Sequence, residues 1–260
     1  MKYAKKSLGQ NFLIDKNIIN KIIDLIEIEN KNVVEIGPGF GAITNEIIKR
    51  KPKSLMLIEK DKKIFEYLSQ NYIKNRSIKI YNKDILKFDL EKKIKPNSII
   101  FGNLPYNISS QILVKLLRFN KWLPKFSDVI FMFQKELGDK IIGSFESPNY
   151  GRLSILTNFR FKLLNKFLIS NNCFFPKPKV NSIILHFKPK KSDYKIKRIT
   201  NLERVTNILF SNKRKMINKN IKKLISVQNL KKISSLNLYS RPDAIKPETY
   251  YKITEIFEMN

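Results

Sequence analysis

Two stretches of this 260-residue chain place residue types where group-transfer chemistry needs them. In Val33-Val34-Glu35-Ile36-Gly37-Pro38-Gly39-Phe40-Gly41 an apolar run enters three alternating glycines and then a helical pattern. Glycines remove Cβ atoms where backbone turns sharply against a ligand, and a helix start offers unsatisfied N–H groups. Dinucleotide-binding loops also carry glycines after their first strand, but with the third glycine one residue later. Glu59 ends the next apolar run, 22 residues beyond Gly37, where a carboxylate reaches the hydroxyls of a ribose. Asp61, just beyond it, suits a helix cap. Asp84 ends the third run, placed to accept a hydrogen bond from an adenine amino group. Gly37, Gly39, Gly41, Glu59 and Asp84 thus describe a pocket for an adenosine with no clamp for a pyrophosphate. S-adenosylmethionine fits that description better than NAD.

The second stretch is Phe101-Gly102-Asn103-Leu104-Pro105-Tyr106-Asn107-Ile108-Ser109, again following an apolar run. The exocyclic nitrogen of adenine is a poor nucleophile because its lone pair is delocalised into the ring. Two acceptors holding its hydrogens, the Asn103 side-chain oxygen and the Leu104 carbonyl, would pyramidalise it and stabilise charge developing during in-line attack on a methyl group. Pro105 stiffens the turn that aims that carbonyl, and Tyr106 offers a face on which a base taken out of its stack can rest.

Elements must hold these residues at one edge. Apolar runs alternate with amphipathic segments, which predicts strands at Asn32–Ile36, Ser54–Glu59, Ile78–Tyr81, Ser98–Gly102 and Asp128–Gln134. Helices are predicted at Lys16–Ile26, Ala42–Lys49, Lys62–Tyr72, Ser109–Leu117 and Lys135–Gly143. Two further strands, Phe161–Ser170 and Val180–Lys188, have no helix-length segment between them and are expected to pair as an antiparallel edge hairpin. The expected fold is α/β and Rossmann-like, of the class I methyltransferase type: a seven-stranded, mainly parallel sheet with that edge hairpin, over residues 1–190. Beyond Pro189 the chain turns strand-poor. Leu202, Val205, Ile208 and Leu209, then Met216, Ile217, Ile221, Leu224 and Ile225, follow helical spacing, and Pro247-Glu248 reads as a helix start before Tyr250, Ile253, Ile256 and Phe257. A small all-α domain is expected over 191–260.

Lys and Arg number 51 against 22 Asp and Glu, a net charge of +29 that calls for a polyanionic partner, nucleic acid first. Only 9 of the basic residues are Arg, as biased composition also produces. The tail from 191 contributes 16 basic and 6 acidic residues, so +19 of the charge lies in the body. Cys173 and His186 are the only residues of their types, which excludes a disulfide within the chain and a Cys/His zinc site and leaves Ser-His-Asp or Cys-His catalysis no spare partner. Both are expected as core or strand residues, and no metal is expected. No stretch has the length and apolarity of a signal peptide or a membrane span, so the expectation is a soluble, cytoplasmic protein.

Together these motifs resemble the ribosomal RNA adenine dimethyltransferase family, most closely its bacterial small-subunit (KsgA) type, over nearly the whole chain. Lys5-Lys6-Ser7-Leu8-Gly9-Gln10-Asn11-Phe12-Leu13 is similar to the family's amino-terminal motif, and the resemblance implies that Asn11 and Leu13 line the cofactor site with Asn103. Gln134-Lys135-Glu136 matches the end of the family's fifth strand. In Phe174-Phe175-Pro176-Lys177-Pro178-Lys179-Val180 the resemblance makes Phe175 a residue that helps enclose the target adenine. Asn212-Lys213-Arg214-Lys215 looks like the basic cluster opening the family's helical domain, and Arg241-Pro242 like its late loop. Met216 and Asn181 depart from the family, which more often has Thr and Asp there. The implied activity is dimethylation of two adjacent adenosines in the hairpin near the 3′ end of small-subunit rRNA, late in subunit assembly. Lys5, Lys6, Lys177, Lys179, Lys213, Arg214 and Lys215 are the candidate phosphate contacts. Nothing demands more than a monomer. Three alternatives stay open at this point: the macrolide-resistance type that methylates large-subunit rRNA, a non-catalytic assembly factor on the same fold, and methylation of adenine in DNA.

Overall fold

A computed structural model of the chain describes residues 10–231, 233 and 236–259. They form two compact units, one running from residue 10 to Gly138 and including Lys162–Pro189, the other made of Asp139–Phe161 and residues 190 to 259.

The first unit is organised by strands: β1 (Phe12–Leu13), β2 (Asn32–Ile36), β3 (Ser54–Glu59), β4 (Ile78–Asn82), β5 (Ser98–Asn103), β6 (Phe126–Gln134), β7 (Phe161–Ile169), β8 (Phe174–Phe175) and β9 (Ser182–Pro189). Seven of them make one sheet in the order β4-β3-β2-β5-β6-β9-β7. The pairs β2·β3, β2·β5, β3·β4 and β5·β6 are parallel, while β9 runs antiparallel to β6. Ile99, Ile100 and Phe101 of β5 are buried on both faces, as the continuous apolar run requires in a parallel sheet covered on both sides. The two late strands stand side by side at the sheet edge, as expected. β7 is outermost and β9 lies between it and β6. The segment joining them contributes β8, which leaves the main sheet and pairs antiparallel with β1, Phe12 facing Phe175 and Leu13 facing Phe174.

Helices α1 (Lys16–Ile23), α2 (Ala42–Lys49), α3 (Lys62–Tyr72), α4 (Leu90–Lys93), α5 (Ser109–Leu117) and α6 (Lys135–Ile141) accompany the strands. Asp15 caps α1 by accepting from the N–H of Asn17 and Ile18, and Asp61 caps α3 from Lys63. α1 stops three residues short of the predicted end because Leu25 and Ile26 bond to the carbonyls of Ile22 and Ile23. These i→i−3 bonds tighten the last turn. His186 is buried on β9 with Nε2 2.8 Å from Asp128 Oδ1 on β6, a strand residue as expected, whereas Cys173 is half-buried in the turn before β8.

The second unit contains α7 (Arg152–Arg160), α8 (Ile199–Phe210), α9 (Asn218–Ile221), α10 (Val227–Leu230) and α11 (Pro247–Phe257). A boundary at 190 alone does not describe it, since residues 139–161 fold with the tail. Tyr150 donates to the Ile245 carbonyl at 2.8 Å, Tyr251 donates to the Ile155 carbonyl at 3.1 Å, and the Phe159 and Tyr251 rings meet at 5.0 Å. α7 escaped prediction because Ser154, Ile155, Leu156, Thr157, Phe159 and Arg160 are all buried. A helix buried around most of its circumference shows no one-sided stripe. In α8, Leu202, Val205 and Leu209 are buried as their spacing predicts. Among the described residues no helix is long and apolar enough to cross a membrane.

Candidate active site

The strand order reverses direction between β2 and β5, so their carboxyl ends lie side by side with connections leading away to opposite sides. Open sheets bind ligands in the crevice outside such ends. Here the crevice is a cavity of about 490 Å³, a size that accommodates a nucleoside-bearing small molecule. Its wall includes Asn11, Leu13, Gly37, Gly39, Glu59, Asp84, Asn103, Leu104, Pro105 and Tyr106, all singled out from sequence.

The glycine loop follows β2 with positive φ at Gly37 (69°), Gly39 (56°) and Gly41 (86°). At Gly39 a Cβ would lie 2.9 Å from the Phe12 ring, which itself lines the cavity. Gly41 is the N-cap of α2 rather than part of the wall, and a Cβ there would meet the Tyr72 hydroxyl at 2.5 Å. Gly41 therefore shapes the loop without lining the cavity.

Glu35, at the end of β2, is buried and accepts from Thr44 Oγ1 at 2.6 Å. Burial pushes its pKa up to about 8; the Thr44 hydrogen bond works against this and the nearby Glu59 adds to it. Glu59 is also raised, chiefly by burial, although its carboxylate accepts from the N–H of Asp61 at 2.7 Å and is favoured by the N–H of Gly39. That last bond ties Glu59 to the glycine loop. At Asp84 burial is the largest influence and pushes upward, but the hydrogen bond and charge of Lys60 and the Leu86 N–H outweigh it and hold the carboxyl below its ordinary value. Lys60 Nζ lies 2.9 Å from Oδ2 and Leu86 donates to Oδ1 at 2.9 Å. Asp84 is thus a fixed, ionised acceptor.

On the β5 side, Asn103 Nδ2 donates to the Asn11 carbonyl at 3.0 Å. The donor end of the amide is tied down, so its oxygen is the end presented as an acceptor. A Cβ at Gly37 would lie 3.5 Å from the Asn103 carbonyl, which shows how closely the two loops approach. Gly102 makes room for the Leu104 side chain, since a Cβ there would meet Leu104 Cδ2 at 2.6 Å. The turn is closed by Ile108 N–H donating to the Pro105 carbonyl at 3.1 Å and Ser109 Oγ donating to the Tyr106 carbonyl at 3.2 Å. Tyr106 is half-buried, its hydroxyl 2.6 Å from Ser182 Oγ, and burial raises its phenol above the ordinary value against the effect of that bond.

The other predicted residues lie off the cavity wall. Phe175 is on β8, 44% exposed, across from the cavity-lining Phe12. Lys177, Lys179, Lys213, Arg214 and Lys215 are exposed, with Lys213 Nζ 3.9 Å from Asp243. Lys5 and Lys6 lie outside the described residues. Asn181 accepts from the Asn171 N–H at 3.1 Å through its side-chain oxygen, and Asn171 in turn donates to the Pro178 carbonyl at 3.1 Å. An amide oxygen does there what a carboxylate oxygen would, which accounts for the tolerance of Asn at this position. Sequence reasoning missed Phe12, Lys60 and Ser182. Lys60 stood beside Glu59 in view, but its partner is 24 residues away; Phe12 and Ser182 carry no local signal.

The chain matches the family model described as ribosomal RNA adenine dimethylase over residues 1–259. It is 42% identical over 262 aligned residues to the protein from Pelagibacter ubique (strain HTCC1062) named ribosomal RNA small subunit methyltransferase A, covering 98% of this chain and 97% of that one. Among solved structures, a dimethyladenosine transferase from Plasmodium falciparum superposes with a TM-score of 0.76 at 23% identity, covering 93% of this chain and 95% of the other. The 23S rRNA methyltransferase ErmE superposes at 0.69 and 21% identity, covering 95% and 99%. At such identities the structural likeness is one of fold, which both share. Agreement that runs the length of the sequence, rather than through one motif, decides the matter: the chain belongs to the ribosomal RNA adenine dimethylase family, and its sheet is that of the class I methyltransferases.

Proposed function

We propose that this protein transfers methyl groups from S-adenosylmethionine to the exocyclic nitrogens of two adjacent adenosines in the 3′-terminal hairpin of small-subunit rRNA, dimethylating each in the cytoplasm on a precursor of the small ribosomal subunit. The observation that carries the reading is the Asn103-Leu104-Pro105-Tyr106 turn standing against the glycine loop at one switch point, with the Asn103 amide oriented by the Asn11 carbonyl.

The residues present fit the cofactor. Gly39 offers a surface without a Cβ, Glu59 a buried carboxylate for ribose hydroxyls, and Asp84 an ionised acceptor for an adenine amino group. When bound, S-adenosylmethionine supplies a methyl group on a sulfonium, open to attack by a nitrogen lone pair. Asn103 Oδ1 and the Leu104 carbonyl hold the two hydrogens of the target amine and stabilise the positive charge that grows on it. Tyr106 stacks on the base, which must leave its own stack to enter. Its raised phenol pKa suits a neutral platform rather than a base, and with charge stabilised by the two acceptors the proton released from nitrogen passes to water. Phe175 and the exposed Lys177 and Lys179 are assigned to the approach of the RNA, and Lys213, Arg214 and Lys215 to its phosphates, which position without reading sequence.

The test is to incubate the protein with methyl-labelled cofactor and undermethylated small subunits, then map the labelled nucleotides, with large-subunit RNA and duplex DNA as parallel substrates. Dimethylation at two adjacent adenosines of the small-subunit RNA is expected. Label confined to large-subunit RNA, in the manner of the ErmE type, or to DNA would overturn the assignment.

A further inference from the structure

Ser182 opens β9 and is fully buried, and its hydroxyl oxygen lies 2.6 Å from that of Tyr106, 76 residues away in the chain. The two ends of this bond are held very differently. Ser182 sits opposite Gln134 in the ladder between β6 and β9, and its side chain has a single rotatable bond before the oxygen. Tyr106 sits on a turn whose hydrogen bonds, from Ile108 to the Pro105 carbonyl and from Ser109 to the Tyr106 carbonyl, fix its backbone and leave the ring free to swing about χ1 and χ2. A short O–H···O bond to the far end of the ring removes that freedom.

We infer that Ser182 is a positioning residue for the methyl transfer: its hydroxyl tethers the Tyr106 phenol to the sheet, so that the ring keeps one face turned to the incoming base. The inference rests on the reading of Tyr106 as the residue on which the target adenine stacks. It gives the phenolic oxygen a purpose other than proton transfer. It also explains a polar group buried at the start of the strand, ahead of the apolar Ile183, Ile184 and Leu185. Buried hydroxyls are retained where they have a partner.

The test uses the full-length protein, S-adenosylmethionine and undermethylated small subunits, with S182A, Y106F, the S182A/Y106F double variant and Y106A. S182A and Y106F delete the same bond from opposite ends, so each is expected to lower kcat about tenfold, equivalent to about 1.4 kcal/mol, with cofactor affinity by calorimetry unchanged. The double variant should be no slower than either single one, because the shared bond can be lost only once. Losses that multiply in the double variant, a fall traceable to cofactor affinity, or wild-type kcat in both single variants while Y106A is crippled would overturn the tether and leave the stacking platform standing. Wild-type turnover in Y106A would instead overturn the platform itself. Should S182A fail to fold, Y106F decides, since it removes the bond without altering the buried strand.

Discussion

Glu35 provides a pH-dependent measurement that follows directly from its surroundings. It is fully buried, and its pKa is raised from 4.5 to about 8, burial being the main cause and Glu59 a contributor, with Thr44 opposing. Because the folded-state value lies above the unfolded one, its contribution to stability is complete below about pH 4.5 and is lost as pH climbs towards 8. In that window the folded side chain keeps its proton while the unfolded one has released it, and each pH unit costs about 1.4 kcal/mol. From about pH 5.5 to about pH 7.5 Glu35 should therefore lower the unfolding free energy by roughly 3 kcal/mol. Glu35→Gln removes this titration while preserving shape and an oxygen to accept from Thr44. Any cost of burying the extra amide N–H groups is independent of pH, so the slopes rather than the absolute values carry the comparison. Urea unfolding of the cofactor-free protein across that range should give wild-type stabilities that fall more steeply with pH than those of Glu35→Gln, the two curves diverging by roughly 3 kcal/mol. Glu59 titrates in both proteins and cancels to first order. Parallel curves would refute the reasoning, because they would mean that Glu35 ionises as readily when folded as when unfolded.

Three other outcomes are expected. Asn103→Ala should lower the methylation rate by at least ~100-fold through loss of an acceptor made for the transition state, while gel-shift affinity for the small subunit stays within a few-fold; unchanged turnover would remove Asn103 from the chemistry. Gly39→Ala places a Cβ at φ 56° and against the Phe12 ring. The left-handed backbone alone costs about 1–2 kcal/mol, so the melting temperature should fall and calorimetry should show cofactor affinity reduced ~10-fold or more. Glu258 accepts from the N–H groups of Lys197 and Arg198 and from Asn201 Nδ2 at the start of α8. Glu258→Ala should destabilise the second unit by about 1–2 kcal/mol, read by hydrogen exchange in α8, and wild-type protection there would show that the cap contributes nothing.

Much of this protein can be read along the chain because the signals are local. The strand ends that carry Gly37, Glu59 and Asn103, and the starts of α1, α2, α3 and α5, are announced by apolar runs, glycines and capping acids within a few residues of one another, and the helix starts fall where those signals put them. Three chemical stations at the carboxyl ends of successive strands followed from the alternation of strand and helix, since parallel strands must all end at one edge. What only the folded chain decided depends on partners far apart in sequence. Two-residue strands β1 and β8 are too short to show any period, and they exist because Phe12 and Phe175 meet across more than 160 residues. α7 is hidden because its buried residues, Ser154, Thr157 and Arg160 among them, form no single apolar face, and it assigns residues 139–161 to the helical unit. The same holds inside the site. Composition and spacing name Asn103, Asp84 and Tyr106, but the Asn11 carbonyl that turns the amide, the Lys60 ammonium that keeps the carboxylate ionised and the Ser182 hydroxyl that meets the phenol are supplied by long-range contacts. Local sequence determines which chemical groups stand at the sheet edge; tertiary packing determines which way each one points and in which charge state, because orientation and desolvation belong to the neighbours in space.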